Sequence, residues 1–121
     1  NIYGGTEEND TSLVLGLDFM GKKWLFTGDA PVNIEKRIVR DHPELRADIL
    51  KVGHHGSNTS TCEAWLSTIQ CKEAVISCGE KNSYGHPNKE VLERLESYGV
   101  RIRRTDQEGS IRYASYSIPP L

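Results

Sequence analysis

Residues Leu50–Ser57 (LKVGHHGS) join the end of an apolar segment to two adjacent histidines enclosed by glycines. The segment 48–52 (DILKV) predicts a short β-strand, and the polar residues 57–61 predict a loop that leads into a helix. Glycine on each side lets the backbone turn sharply and lets a ligand come close. Histidine brings metal affinity and a proton that titrates near neutral pH. The stretch therefore indicates a functional loop at a strand end; two histidines in an ordinary polar surface loop are the alternative.

The length and composition favour one globular domain. The chain has 121 residues, of which 36% are hydrophobic and 26% charged. No apolar run approaches the length of a membrane span, and we expect no signal peptide. Because the chain opens on Asn1 rather than methionine, with a polar segment at 1–10, we expect a fragment of a longer protein.

The charge argues against a generally basic nucleic-acid-binding surface, because the net charge is −2. One local basic cluster stands out, at Arg101, Arg103 and Arg104. In a strand, Arg101 and Arg103 point to the same side. We favour a solvated edge strand protected by its charge over a local DNA contact.

The cysteines exclude two classes of small domain. None of the three stands in a Cys-x-x-Cys pair, which argues against a zinc ribbon and against a disulfide framework. Cys62 has helical spacing with Trp65, Leu66 and Ile69, so we expect it in or near the core.

Helical and strand patterns alternate through the middle of the chain. This order predicts an α/β layered domain with a mixed sheet and a hairpin at each end. The predicted elements are strands at 11–17 and 23–27, a helix at 32–40, a strand at 48–52, a helix at 60–69 capped by Ser60 or Thr59, a strand at 73–77, a helix at 87–98 ended by Gly99, a strand at 100–104, a turn at 105–109 and a strand at 110–117.

Polar groups follow three of the predicted strands. They are Asp29, the pair His54 and His55, and His86 at the end of a polar loop. In open α/β sheets, sites form beyond the carboxyl ends of the strands. A carboxylate and imidazoles that meet there suit zinc or manganese.

Each of these groups also has a structural interpretation. Asp29 has the residue type of a helix N-cap. His86 has the position of a helix-start residue whose ring packs on Tyr84. His42, at a helix end before proline, is best interpreted as structural or solvent-exposed. The repeated placement at strand ends favours the functional interpretation of the others.

The motifs together resemble the metallo-β-lactamase superfamily. More narrowly, they are similar to the metallo-β-lactamase-like domain at the C-terminus of ComEC-type competence proteins. The segments that carry the resemblance are 25–29 (LFTGD), 48–57 (DILKVGHHGS), 82–87 (NSYGHP), 104–106 (RTD) and 109–111 (GSI).

The resemblance implies an αββα sandwich, of which this chain is one half: a mixed sheet with helices packed on one face. The family's first metal motif, His-x-His-x-Asp-His, is not in this sequence, and Asn9 stands where many members have a histidine. Residues 1–121 are therefore expected to be the C-terminal portion of such a domain and to supply only part of its site.

The resemblance also implies roles for individual residues, and it leaves open whether His54 or His55 is the inner metal ligand. Metal contacts would come from Asp29, His54 and His86, with Asp29 as the bridging carboxylate. Catalytic roles would fall to Asp29, His54 and His55, and substrate contacts to His55, Ser57 and Asn82.

The implied activity is metal-dependent phosphodiester hydrolysis on incoming DNA during bacterial transformation, with one strand degraded while the other crosses the membrane. Zinc or manganese would be the cofactor, and the fragment alone is expected to lack the metal and to be inactive. The parent would be a membrane protein with this domain on the extracytoplasmic side. Partners would be DNA, the upstream half of the domain and the channel region.

Two other functions stay open. The chain could be a non-catalytic module that guides DNA or caps the fold, as the missing first motif favours. It could also hydrolyse a lactone, thioester or phosphorylcholine ester, because the fold hosts many hydrolyses. In each case half a sandwich leaves an apolar sheet face to be buried, which predicts a dimer, a swapped arrangement or contact with the missing half.

Overall fold

The computed structural model describes residues 2–3, 14–79 and 86–113. The predictions for Asn9, Asn82 and Tyr84, and for the strand residues 11–13 and 114–117, lie outside these ranges. In the ranges described, no helix is both long enough and apolar enough to cross a lipid bilayer.

Strands and helices alternate along the chain as the pattern predicts. The strands are β1 (Ile2–Tyr3), β2 (Val14–Phe19), β3 (Lys22–Phe26), β4 (Ile49–Lys51), β5 (Glu73–Ile76) and β6 (Arg101–Arg104). The helices are α1 (Val32–Asp41), α2 (Glu63–Ile69), α3 (Lys89–Ser97) and the short α4 (Thr105–Glu108), and a tight helical turn occupies Gly53–Gly56.

The strands form one six-stranded mixed sheet in the order β1-β2-β3-β4-β5-β6. The first three are antiparallel, and β3 to β6 run parallel, joined by crossovers through α1, α2 and α3. The α/β class with a mixed sheet is therefore confirmed. Crossovers of this kind bring the carboxyl ends of all four parallel strands to one edge of the sheet.

Helices cover one face of the sheet. Leu25, Leu50 and Ala74 lie side by side in the register of β3, β4 and β5, and all three are buried. They belong to one apolar cluster with residues of α1, α2 and α3. These helix residues include Ile34, Ile38, Trp65, Leu66, Val91 and Leu95. The arrangement agrees with half of an αββα sandwich.

The opposite face carries large apolar side chains that remain exposed. Leu17, Phe19 and Phe26 are 46%, 55% and 38% exposed. Trp24 and Val75, on the same face, are half-buried. Side chains alternate between the faces of a strand, so this set is the counterpart of the buried core residues.

Helix α2 starts three residues later than predicted, at Glu63 instead of Ser60. Ser60 does not cap it, because its hydroxyl donates to the carbonyl oxygen of Ala30 at 2.7 Å. Thr61 has a φ of +63°, which no right-handed helix contains. Cys62 takes the N-cap position without a side-chain capping bond, and its side chain is half-buried.

Helix α3 ends as predicted. Gly99 adopts a φ of +71° immediately after the last turn. The N–H of Gly99 donates to Glu96 O, and that of Val100 donates to Leu95 O. These bonds satisfy carbonyls that the helix end would leave without partners.

The C-terminal part of the prediction was wrong in two places. Residues 105–108 form the helical turn α4 rather than a reverse turn. The strand expected from Ser110 is not formed over 110–113. Tyr113 instead packs edge-on against Trp24, with ring centroids 4.9 Å apart. Over these residues an aromatic contact with the open face takes the place of strand pairing.

The short strand β1 was not predicted.

Strand β6 is the last strand of the described sheet, and its arginines are ion-paired rather than free for DNA. The pairs are Arg101 with Glu73 at 3.5 Å, Arg103 with Glu108 at 2.9 Å and Arg104 with Asp106 at 2.6 Å. This pairing agrees with an edge strand protected by charge.

One carboxylate is buried in the helical layer. Glu35 of α1 is 1% exposed, and its two oxygens accept the N–H groups of Thr61 at 2.6 Å and Cys62 at 2.9 Å. Burial raises the pKa of Glu35 to about 7, although both hydrogen bonds and the charge of Arg94 act in the opposite direction.

The buried Glu35 predicts a pH dependence of stability. An unfolded glutamate loses its proton near pH 4.5, whereas folded Glu35 keeps it until about pH 7. Between these values the folded state binds more protons, so the free energy of unfolding falls as the pH rises. Glu35→Gln should remove a decline on the order of 3 kcal/mol between pH 4.5 and 8, measured by urea unfolding at several pH values.

Glu96→Gln, at an exposed position of α3, is the matched control and should keep the wild-type dependence. Identical pH profiles for Glu35→Gln and the wild type would contradict this prediction.

Candidate functional site

The candidate site lies at the edge of the sheet where the parallel strands end. Asp29 follows β3, and the turn Gly53–Gly56 follows β4. The residue Ser77 follows β5. This is the edge at which α/β sheets bind ligands.

The loops after β3 and β4 are joined by backbone contact. The N–H of His54 donates to the carbonyl oxygen of Gly28 at 2.7 Å, one residue before Asp29. The hydroxyl of the buried Thr27 donates to Lys51 O at 3.1 Å. A Cβ on Gly53 would lie 2.9 Å from Thr27 Oγ1, so only glycine fits this approach.

The histidine pair has a strained backbone. His54 and His55 have φ values of +49° and +52°, and Gly56 follows at +83°. Each left-handed residue other than glycine costs about 1–2 kcal/mol. Such strain persists where the surrounding structure enforces it, and it concentrates at functional sites. The backbone thus supports the functional interpretation of this loop.

His54 faces His86. Their ring centroids are 5.9 Å apart, at an interplanar angle of 70°. The Nδ1 atom of His54 lies 3.0 Å from Thr59 Oγ1, which in turn lies 3.0 Å from Ser57 Oγ. A hydroxyl can donate or accept, so this contact orients the ring and permits either tautomer.

His55 is held differently. Its Nδ1 lies 2.6 Å from the carbonyl oxygen of Ser77, at the end of β5. A carbonyl only accepts, so Nδ1 carries the proton, and the neutral ring has its lone pair on Nε2. The hydroxyl of Thr105 fixes the residue after Ser77, accepting from the N–H of Cys78 at 2.9 Å and donating to its carbonyl at 3.0 Å.

The segment that carries His86 is tied to the same loop. The N–H of Asn88 donates to Gly56 O at 2.9 Å, and its side-chain oxygen accepts the N–H of Asn58 at 2.8 Å. Asn88 is the N-cap residue of α3, so His86 is not the first residue of that helix. Because these bonds attach residue 88 to the histidine turn, they hold the nearby His86 beside His54.

Asp29 is exposed, and it is not the cap of α1, because Pro31 occupies that position. The Asp29 carboxylate interacts electrostatically with Lys51. Burial lowers the pKa of the Lys51 ammonium, and the negative charge of Asp29 opposes that shift. The carboxylate therefore has a cationic neighbour at the end of β4.

The remaining residues singled out in the sequence differ in burial and in their distance from the sheet edge. Ser57 is buried and bonded to Thr59. His42 is half-buried at the far end of α1, with its Nδ1 3.7 Å from a Glu44 oxygen, in agreement with a structural role. Asn82 lies outside the described ranges.

The described residues contain no complete metal site. Among residues 2–3, 14–79 and 86–113, no group of three or more histidine, cysteine or acidic side chains is close enough to hold a metal ion. His54 and His86 offer two imidazoles of the correct chemistry for zinc or manganese. Further ligands would have to come from elsewhere.

Three participants were not predicted as part of the site. Thr59 was considered only as a helix cap, Lys51 only as a strand residue, and the Ser77 carbonyl not at all. The contacts of Thr59 and Ser77 depend on tertiary structure, which the sequence pattern does not specify. Lys51 had one detectable signal: it is a charged residue that directly follows the apolar pair 49–50 and ends the strand.

Several curated proteins align with nearly the whole chain. It is 43% identical over 106 residues to ComE operon protein 3 of Bacillus subtilis (strain 168), an alignment that covers 88% of this chain. It is 34% identical over 108 residues to Competence protein ComA of Neisseria gonorrhoeae, again over 88% of the chain. Both proteins are homologues of this chain. Recombination protein 2 of Haemophilus influenzae is 37% identical over 105 residues, or 87% of the chain.

The chain spans only a small part of these relatives: 14% of the Bacillus protein, 16% of the Neisseria protein and 13% of the Haemophilus protein. No protein-family model matches the chain.

The turn that carries the histidines should depend on Gly56. A Cβ there would lie 2.6 Å from Pro87 Cβ and 2.9 Å from Pro87 Cα, at a φ of +83°. We expect Gly56→Ala to lower the free energy of unfolding by about 2–5 kcal/mol, from backbone strain and overpacking together. Urea unfolding measures the loss.

Two other glycines separate these causes. Gly99 has a φ of +71° but open space around its Cβ position, so Gly99→Ala should cost about 1–2 kcal/mol. Gly79 has neither feature, and Gly79→Ala should change stability by less than about 0.5 kcal/mol. Equal losses for Gly56→Ala and Gly99→Ala would show that the contact with Pro87 is unimportant.

Proposed function

We propose that this chain is the C-terminal half of a metallo-β-lactamase-like domain that hydrolyses DNA phosphodiester bonds during bacterial transformation. The observation that carries the proposal is the meeting of three segments at one sheet edge. His54 faces His86 at 5.9 Å and is bonded through its N–H to the residue before Asp29. The homologues named above support the transformation context.

His54 and His86 would bind a divalent metal, and the Asp29 carboxylate would join them once ligands from outside this chain complete the site, because the described residues alone hold no three-ligand group. A bound zinc or manganese ion would supply hydroxide at neutral pH, since it lowers the pKa of its water to about 7. Thr59 would keep the His54 ring oriented towards His86. The parent protein would be membrane-associated, with this domain on its extracytoplasmic side.

His55 would act on the substrate rather than on the metal. Its Nδ1–H is committed to Ser77 O, which leaves Nε2 to accept a proton or, when protonated, to donate to a phosphate oxygen. The Lys51 ammonium adds positive charge near Asp29, which favours the binding of a phosphodiester. Ser57 supports Thr59 through its hydroxyl. Asn82 would contact the substrate.

The test joins residues 1–121 to the upstream half and measures cleavage of labelled DNA with manganese or zinc. Asp29→Ala should lower the rate about a hundredfold, because a carboxylate that binds the metal is lost. Asp41→Ala is the matched control, since Asp41 is an exposed aspartate at the opposite end of α1. Undiminished cleavage by Asp29→Ala would exclude its metal role.

A second function is favoured by one observation: the described residues contain no three-ligand group. In that case the domain would guide DNA or cap the fold without catalysis. Calorimetric titration of the complete domain distinguishes the two. Binding of manganese or zinc at micromolar concentration supports hydrolysis, and no binding at that concentration supports the non-catalytic module.

The open sheet face predicts association. Leu17, Phe19 and Phe26 expose apolar surface that the upstream half would cover, or that a second copy would cover in a dimer or a swapped arrangement. We expect the 121-residue chain to bind a hydrophobic dye or to dimerise, and the chain joined to its upstream half to do neither. Light scattering and dye fluorescence measure this. A monomeric 121-residue chain without dye binding would contradict it.

A further inference from the structure

The strained segment between the histidine turn and α2 is held by a buried carboxylate. Thr61 is fully buried and has a φ of +63°, a conformation that β-branched residues rarely adopt. Its hydroxyl oxygen has no hydrogen-bond partner among the described residues. Local preferences therefore oppose this conformation, and tertiary contacts must enforce it.

Those contacts come from two helices. Glu35 of α1 accepts the N–H of Thr61 at 2.6 Å and that of Cys62 at 2.9 Å. Arg94 of α3 donates to the carbonyl oxygen of Thr61 at 2.7 Å. The backbone of Thr61 is thus fixed on both sides by side chains, and the bond from the Arg94 guanidinium is charge-assisted.

A buried carboxylate is an expensive means of holding a loop. Replacing buried charges by apolar residues is often neutral or stabilising. Here replacement would leave two N–H groups without acceptors. Glu35 therefore fixes the course of the backbone at Thr61 and Cys62, which end the segment 57–62 just before α2 begins.

That segment orients one histidine and not the other. Thr59 Oγ1 contacts His54 Nδ1 at 3.0 Å, and Thr59 O accepts the N–H of Val32 at the start of α1. His55 is attached to Ser77 at the end of β5, outside the segment. A shift of the segment would therefore move the support of His54 and leave that of His55 in place.

We propose that Glu35 is a positioning residue for His54: it fixes the segment 57–62, through which Thr59 holds the His54 ring against His86. The inference rests on the proposed function only for its consequence in catalysis. The ring orientation can be measured without any activity.

The test is nitrogen-15 NMR of the histidine rings in the 121-residue chain, comparing wild type with Glu35→Gln and Arg94→Met. Both variants should change the ring signals of His54 and leave those of His55 unchanged. Thr59→Val should reproduce the His54 change, and Thr59→Ser, which keeps the hydroxyl, should restore the wild-type signals. If Glu35→Gln does not fold, Arg94→Met, at a half-buried position, carries the test alone.

Unchanged His54 signals in the folded variants, or equal changes at His54 and His55, would overturn the proposal. If the complete domain cleaves DNA, Glu35→Gln should lower kcat about tenfold to a hundredfold with little change in KM, since the substrate contacts are retained. Absence of cleavage in the wild type would refute the proposed function and leave the ring measurement valid.

Discussion

The hydrogen bond from the His54 N–H to the carbonyl oxygen of Gly28, 2.7 Å long, is the contact on which the site depends. It requires the ends of β3 and β4 to approach so closely that residue 53 has no room for a side chain. The approach places Asp29 beside the histidine turn. The chain leaves the strand through a left-handed backbone at His54 and His55, and the two imidazoles contact different partners.

The two histidines consequently have different partners. His54 belongs with Thr59 and His86, and its support reaches into the helical layer through the segment that Glu35 and Arg94 fix. His55 belongs with the end of β5. The two adjacent histidines are thus anchored separately: the ring of His54 faces His86, and the ring of His55 has a defined proton position.

Much of the fold could be predicted from the sequence. Regular alternation and apolar spacing gave the order of β2, α1, β4, α2, β5, α3 and β6, because those elements bury a continuous face. The start of α2 was misplaced because Ser60 bonds to Ala30, a partner 30 residues away. The strand expected from Ser110 does not form over residues 110–113, where Tyr113 packs against Trp24.

The sheet edge that carries the candidate site could be predicted, but the contacts between its side chains could not. The rule that ligands bind at carboxyl ends of strands led to Asp29, His54 and His86. The residues that orient the rings, Thr59 and the Ser77 carbonyl, act through contacts that have no local sequence signature.

We propose that His54 and His86 belong to one metal centre, which the Asp29 carboxylate joins when ligands from outside this chain complete the site, since the described residues alone hold no three-ligand group. Anomalous diffraction at the manganese edge, from crystals of the complete domain soaked in manganese, tests it most directly. We expect an anomalous peak in direct contact with the Asp29 carboxylate and with the rings of His54 and His86. Full occupancy of manganese at a different edge of the sheet, or no peak beside these side chains, would contradict it.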